Sequence, residues 1–141
     1  MINFFKKKTE EKTEENINKK LVLVCSLFIH AAKMDQNYSE NEKNIILKAM
    51  RDLYPNKDEK FDQILLDAEK KEKESNQILE FTREIKLYDK VFRLKVVEIL
   101  WKIIYSDGIS DMYESNLMRR LGKLLYISDK EIGEIKINIK K

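Results

Sequence analysis

Two short stretches decide the fold of this chain: Asp35-Gln-Asn-Tyr-Ser-Glu-Asn-Glu42, and Asp107-Gly-Ile-Ser-Asp-Met-Tyr-Glu114, which lies 72 residues further on. In each, an apolar segment ends at an aspartate, a short polar turn follows, and a glutamate comes seven residues later. The apolar positions on either side keep the same offset. The matched pairs are Leu27 and Ile99, Phe28 and Leu100, Ile45 and Leu117, Ile46 and Met118, Leu53 and Leu125, and Tyr54 and Tyr126. An agreement that spans two helices and their turn predicts a duplicated helix–turn–helix unit.

The composition predicts an all-α fold. The chain has 141 residues with only three glycines and one proline, so few residues interrupt helices. A chain of this length can bury a substantial core within one domain. The formal net charge is +3, from 28 basic and 25 acidic residues, and this near balance gives no basic field for nucleic acid. We therefore expect a helical protein without a nucleic-acid partner.

Helical periodicity and capping residues predict about seven helices and no strand. The first helix is expected from about Glu14 to Met34. The residues expected at the starts of later helices are Ser39, Asp58, Ser75, Asp89, Asp111 and Ser128. Three of these, Ser39, Asp111 and Ser128, are followed three residues later by a glutamate, as in a capping box. Segment 92–104 is the most apolar and is expected to be the central helix.

The two turns also suggest a cation site. Asp35, Glu42, Asp107 and Glu114 are carboxylates at matching places, and clustered carboxylates suit hard cations such as Ca²⁺ or Mg²⁺. The alternative is purely structural, because each glutamate can complete a capping box and each aspartate can bind backbone amides in its turn. The turns do not fit an EF-hand loop, which requires glycine at its sixth position, where Glu40 and Met112 stand.

The residues that enzymes most often use are scarce here. His30 is the only histidine and Cys25 the only cysteine. A partly buried or surface role is expected for His30, and a buried structural thiol for Cys25. The sequence contains no Gly-rich phosphate loop, nucleophile elbow or His-Glu-x-x-His motif. We expect a protein that is not an enzyme.

The first residues have the chemistry of a weak membrane-surface anchor. Phe4 and Phe5 could insert into a bilayer interface, and Lys6, Lys7 and Lys8 could meet anionic headgroups. Acidic residues follow closely, so an ordinary tail is the alternative. We expect residues 1–15 to form a mobile tail and residues 16–141 the helical domain. A cytoplasmic location, free or peripheral at the inner membrane, is expected, because the sequence shows neither a signal peptide nor a spanning segment.

Several residues carry a resemblance to a known family. In the second unit they are Asp107-Gly108, Asp111, Tyr113-Glu114, Leu117-Met118-Arg119-Arg120-Leu121, Leu124-Leu125 and Ile127-Ser128; in the first they are Ala31-Ala32, Asp35, Ser39 and Glu42. Over roughly residues 20–135, this pattern resembles the TerB family of bacterial tellurite-resistance-type proteins. More narrowly, the chain is similar to the short stand-alone TerB-like proteins. The resemblance implies a compact bundle of about seven helices, acidic clusters suspected of metal binding, and a role in stress response or membrane-associated complexes.

Three functions remain open from the sequence. The first is a non-enzymatic adaptor that docks a protein partner through a helical face. The second is a divalent-cation module that uses the two acidic turns. The third is a peripheral membrane protein recruited through its first eight residues. The identity of a partner and the oligomeric state do not follow from the sequence.

Overall fold

The computed structural model describes the backbone of residues 2–34, 38–54, 61–75, 77–105 and 112–140. Side chains are described from residue 17 in the first of these ranges and for residues 114–139 in the last. The described residues form seven helices and no strand, as the sequence predicts. The helices are α1 (Ile2–Met34), α2 (Glu40–Leu53), α3 (Phe61–Glu74), α4 (Leu79–Ile85), α5 (Lys90–Ile104), α6 (Met112–Leu124) and α7 (Asp129–Lys140).

The first helix begins earlier than the sequence suggested. α1 starts at Ile2 rather than near Glu14. The segment between these residues has no apolar stripe, but it is rich in lysine and glutamate and contains neither glycine nor proline. Extending an existing helix fixes one residue for each hydrogen bond gained, so such a segment continues a helix that is already nucleated. The division into residues 1–15 and residues 16–141 remains a prediction.

Capping residues set the starts of three described helices, α2, α5 and α7. Ser39 accepts a hydrogen bond from the Glu42 amide at 3.4 Å, and Asp89 accepts one from the Phe92 amide at 2.8 Å. The Ser128 hydroxyl accepts a hydrogen bond from the Glu131 amide at 3.2 Å, and the Glu131 carboxylate accepts one from the Ser128 amide at 3.3 Å. Together they form a complete capping box. These three predicted starts are confirmed. Asp58 and Asp111 lie outside the described residues.

The predicted cap at Ser75 is wrong. The fourth helix begins at Leu79, after Ile78, and no side chain caps it. Ile78, Phe81 and Ile85 of this short helix are buried, with exposed fractions of 6%, 0% and 0%. Burial of this apolar face, rather than a local hydrogen bond, therefore fixes where α4 begins.

Two helices, not one, form the centre of the bundle. α5 is strongly apolar, as predicted, and buries seven residues between Val96 and Ile104. α1 buries more apolar residues than α5 does, between Leu21 and Ala32. It packs against α2, α3, α4 and α5. α5 is central, as predicted, and α1 shares this position because its buried apolar residues are concentrated in its second half.

α1 and α5 run in the same direction. The Lys20 ammonium lies 4.0 Å from the centre of the Phe92 ring at the start of α5. Tyr54, which follows α2, packs edge-on against that ring at 6.3 Å. α2 therefore ends beside the start of α5, and the two helices pack antiparallel. Because the short connection between α1 and α2 also makes them antiparallel, α1 and α5 are parallel.

The turn between α6 and α7 contains a strained residue. Tyr126 has a positive φ of 59°, in the left-handed region that favours glycine. The Ile127 amide bonds the Gly122 carbonyl at 2.8 Å and the Tyr126 amide bonds the Lys123 carbonyl at 3.2 Å, which is a Schellman motif. Arg93 of α5 donates to the Leu125 carbonyl at 2.9 Å. This hydrogen bond holds the turn against the start of α5.

Candidate functional site

The predicted acidic residues lie partly outside the described chain. Glu42 and Glu114 stand in the first turns of α2 and α6 and are 3% and 5% exposed. Asp35 and Asp107 lie outside the described residues. Because α1 and α5 are parallel, the helices that follow them start at the same end of the bundle, as a shared site requires. The cation site itself remains a prediction.

Within the described ranges, no group of three or more histidine, cysteine or acidic side chains could hold a metal ion. The two turn aspartates lie outside these ranges. The hypothesis that the four carboxylates bind a cation therefore remains a prediction. Burial of two glutamates at equivalent positions is nevertheless a finding. A carboxylate removed from water loses its hydration and must be compensated by hydrogen bonds or opposite charge.

The single histidine belongs to a structural ion cluster. His30 Nδ1 lies 3.2 Å from Glu72 Oε1, and Lys33 Nζ lies 2.5 Å from Glu72 Oε2. The His30 ring also packs 5.7 Å from that of Phe81. The histidine is partly buried, as expected, and it connects α1 with α3 and α4. Glu72 was not singled out from the sequence, since its partners are distant along the chain.

The single cysteine is buried and unreactive in character. Cys25 is 0% exposed, and burial, together with the nearby charge of Glu69, raises the pKa of its thiol to about 12. A nucleophilic cysteine needs the opposite, a pKa lowered into the neutral range. Tyr38 has a raised pKa for the same two reasons, burial first and Glu69 second. The predicted burial of the thiol is confirmed.

The proposed membrane anchor falls on residues whose side chains are not described. The backbone of Phe4, Phe5, Lys6, Lys7 and Lys8 is part of α1. Over the described ranges of the chain, none of the helices is both long and apolar enough to cross a membrane. Attachment at a membrane surface through these five residues remains a prediction.

An open groove lies between α2 and α5, on a face that the sequence did not indicate. Its volume is about 550 Å³. Four apolar residues form its floor and walls: Ile45, Ala49 and Leu53 from α2, and Ile99 from α5. Ala49 and Ile99 are 8% and 6% exposed, and the other two are half-buried. We call these four residues, with the charged residues around them, the α2–α5 groove.

Charged residues border this groove on both sides. They are Lys48 and Asp52 from α2, and Lys95, Glu98 and Lys102 from α5. Lys102 Nζ lies 3.4 Å from Glu98 Oε1, one helical turn away. No ion pair joins Lys48 or Lys95 to another residue whose side chain is described. The border therefore offers two lysines that a ligand could meet, around an apolar floor.

The groove follows from the helical spacing of α2. Glu42, Ile46, Ala49 and Met50 are buried and face the core. Ile45 and Leu53 lie at the edge of this stripe, on the side towards α5. The small side chain of Ala49 leaves space between the two edge residues. The sequence showed only that Ile45 and Leu53 match Leu117 and Leu125 of the second unit, and this match did not indicate a groove.

Similarity to known proteins identifies the family. No curated protein matches the chain. No solved structure matches it either. A family model described as tellurite resistance protein TerB matches residues 21–137, a range that includes all of the groove and ion-cluster residues described above. The match covers most of the chain and the fold agrees with the resemblance noted in its sequence, and the chain therefore belongs to the TerB family.

Proposed function

We propose that this protein is a non-enzymatic interaction module of TerB type, which docks a protein partner in the α2–α5 groove. The observation that carries the proposal is the groove itself. Ile45 and Leu53 of α2 are only half-buried beside a floor formed by Ala49 and Ile99, and domains usually cover such apolar surfaces with their own chain or a partner. An assembly in stress response or at a membrane is the setting that the family suggests.

The chemistry of the groove supports binding rather than catalysis. Its charged residues are lysines and carboxylates on the border, and none of its lining residues is a histidine, cysteine, serine or threonine. General acid–base or nucleophilic catalysis needs a nucleophile or acid with a partner in reach of the substrate. Apolar contacts in the centre with charges around them are instead the usual anatomy of a protein interface.

Site-specific photo-crosslinking tests the proposal. A benzoylphenylalanine at Lys48, on the groove border, is expected to give a discrete crosslinked partner in cells. The matched control replaces Lys70, an exposed lysine on α3 outside the groove. An Ala49→Phe substitution, which fills the groove, should abolish the Lys48 crosslink while circular dichroism shows an unchanged helical content. Equal crosslinking from Lys48 and Lys70, or crosslinks that persist in the filled groove, would contradict the proposal.

A divalent-cation module is the second candidate. It is favoured by the near-complete burial of Glu42 and Glu114 at equivalent places in the two units. Carboxylate oxygens are ligands that Ca²⁺ and Mg²⁺ prefer, and a bound cation would stabilise the fold by mass action. Calorimetric titration with each cation, on the native protein and on a Glu42→Gln/Glu114→Gln variant, tests this. Binding that the double variant retains, or a native protein without heat of binding, would exclude these residues as ligands.

A further inference from the structure

Six of the seven described helices form two similar sets of three. In the first set, α1, α2 and α3 pack against one another, and in the second set α5, α6 and α7 do the same. The sequence match covers the first two helices of each set, and the packing extends it to the third. α1 and α5 also pack together across the middle. Only α4 has no counterpart among the described helices.

α4 occupies one of two equivalent positions in the bundle. It packs against α1 and against α6. In the repeat, α1 corresponds to α5, and α6 corresponds to α2. The position equivalent to that of α4 is therefore the space between α5 and α2, and this space is the α2–α5 groove. α2 and α5 pack on each other there, whereas the described parts of α1 and α6 make at most slight contact and both pack on α4.

Burial differs in two of the three pairs of equivalent residues. Leu125 and Leu117 are buried, at 0% and 6% exposed, whereas their counterparts in the groove, Leu53 and Ile45, are half-buried. Leu27 and its counterpart Ile99 are both buried, at 0% and 6% exposed. The groove thus repeats a helix-binding surface without the helix.

From this we propose that the occupant of the groove is an amphipathic helix of a partner protein with acidic residues beside its apolar stripe. The inference rests on the function proposed above and names the class of partner. The groove extends from Ile45 to Leu53, which is about 12 Å or two helical turns. α4, with seven residues, has the same length. Its buried residues Ile78, Phe81 and Ile85 show the spacing that the partner's stripe requires.

The charges on the border of the groove favour one sign of charge on the flanks of the partner helix. Three lysines and two carboxylates surround the floor. With Glu98 paired to Lys102, the remaining border charges are Lys48, Lys95 and Asp52, which is an excess of one positive charge. Lys48 and Lys95 stand on opposite sides, one on each helix. A helix seated between them with glutamate or aspartate on both flanks would form an ion pair on each side. A helix with basic flanks would bring like charges together.

A synthetic peptide titration tests the inference. The probe is a stapled helical peptide of about four turns that carries isoleucine, phenylalanine and isoleucine at the spacing of Ile78, Phe81 and Ile85, with glutamates on both flanks. The second probe has the same stripe with lysines in place of the glutamates. In ¹⁵N–¹H spectra of the full chain, the acidic peptide is expected to shift amides of α2 and α5 around Ala49 and Ile99. The basic peptide should bind at least about fivefold more weakly.

Charge reversal on the protein supplies the matched control. Lys48→Glu/Lys95→Glu should weaken the acidic peptide roughly three- to thirty-fold at low salt. Lys123→Glu/Lys130→Glu changes two exposed lysines on α6 and α7 and should leave affinity within about twofold, because these positions lie outside the groove. Shifts centred on another face, no saturation at millimolar peptide, or equal loss in both variants would overturn the inference.

The outcome separates this inference from the proposed function. A specific crosslink from Lys48 with no binding of the acidic peptide would refute the acidic helix and leave the interaction module standing. Absence of both would refute both. If sedimentation shows a dimer that Ala49→Phe converts to a monomer, the groove holds a second copy of this chain and the partner helix is refuted.

Discussion

The side chain of Ile132 fills the space that a β-carbon on Gly122 would need. An ideal Cβ at Gly122 would lie 1.7 Å from Ile132 Cδ1 and 2.9 Å from its Cγ1. Ile132 is 2% exposed, so it has little space into which to move. The absence of a side chain at Gly122 therefore sets how closely α6 and α7 approach.

This relationship predicts opposite effects at two glycines. Gly122→Ala should lower the free energy of unfolding by about 1–3 kcal/mol, because overpacking displaces Ile132. Gly133→Ala, on α7, has no atom within 4 Å of the new β-carbon. It should raise the free energy of unfolding by about 0.5–1 kcal/mol through helix propensity. Urea denaturation measures both, and destabilisation by both substitutions would show that the α6–α7 contact is not the cause.

The left-handed residue Tyr126 gives a second prediction. Its ring is 64% exposed, so little burial offsets a positive φ. Tyr126→Gly should be more stable than Tyr126→Ala by about 1 kcal/mol, since both lose the ring and only alanine keeps the β-carbon penalty. Both variants also lose the contact between the Lys86 ammonium and the ring, at 5.4 Å, so this contact does not contribute to the difference between them. Equal denaturation midpoints for the two variants would contradict the strain.

A core truncation tests the central position of α5. Leu100 is 0% exposed, and Leu100→Ala should cost on the order of 2–5 kcal/mol by opening a cavity. Val91, on the same helix, is 66% exposed, so Val91→Ala should change the free energy of unfolding by no more than about 0.5 kcal/mol. Thermal unfolding followed by circular dichroism compares the two. Similar losses at both positions would mean that the buried face of α5 is misassigned.

The capping box of α7 predicts a pH dependence. Hydrogen bonds from Lys90 and Ser128 lower the pKa of Glu131 below its ordinary value. The native state therefore favours the ionised carboxylate, and its contribution to stability is present above the ordinary glutamate pKa of about 4.3. It is lost as the pH falls through the lowered pKa of the folded protein. The stability difference between native protein and Glu131→Gln should accordingly shrink as the pH falls from neutral to acidic.

The Lys90→Met variant tests whether Lys90 causes this pH dependence. In Lys90→Met protein, the loss of stability caused by Glu131→Gln should depend less on pH, because the largest contribution to the pKa shift is gone. Urea titrations at several pH values compare the native protein, each single variant and the double variant. A pH dependence that is unchanged without Lys90 would assign the effect to Ser128 alone.

Local features of the sequence predicted the fold best. Ser39, Asp89 and Ser128 marked helix starts correctly because a cap is a hydrogen bond between residues three apart. Ser75 failed because burial of the apolar face of α4, which packs against α1 and α6, fixes where that helix begins. The start of α1 was missed because helix propagation through lysine and glutamate needs no apolar stripe.

The candidate site was harder to predict for a related reason. Ile45, Leu53 and Ile99 match Leu117, Leu125 and Leu27 in the repeat, and the apolar pattern of the two units is the same. Ile45 and Leu53 are more exposed than their counterparts because α4 packs on only one of the two equivalent surfaces. The residues of the groove give no sign of this in the sequence. The signal available in the sequence was an extra helical segment between the two units with no matching segment elsewhere.

The placement of α4 also determines the valency of the molecule. A bundle with both equivalent surfaces open could join two copies of one partner and build extended networks. With α4 on one surface, the described part of the chain leaves the other surface for a helix of the proposed kind. If the groove binds such a helix, the chain would terminate an assembly at this contact instead of cross-linking it.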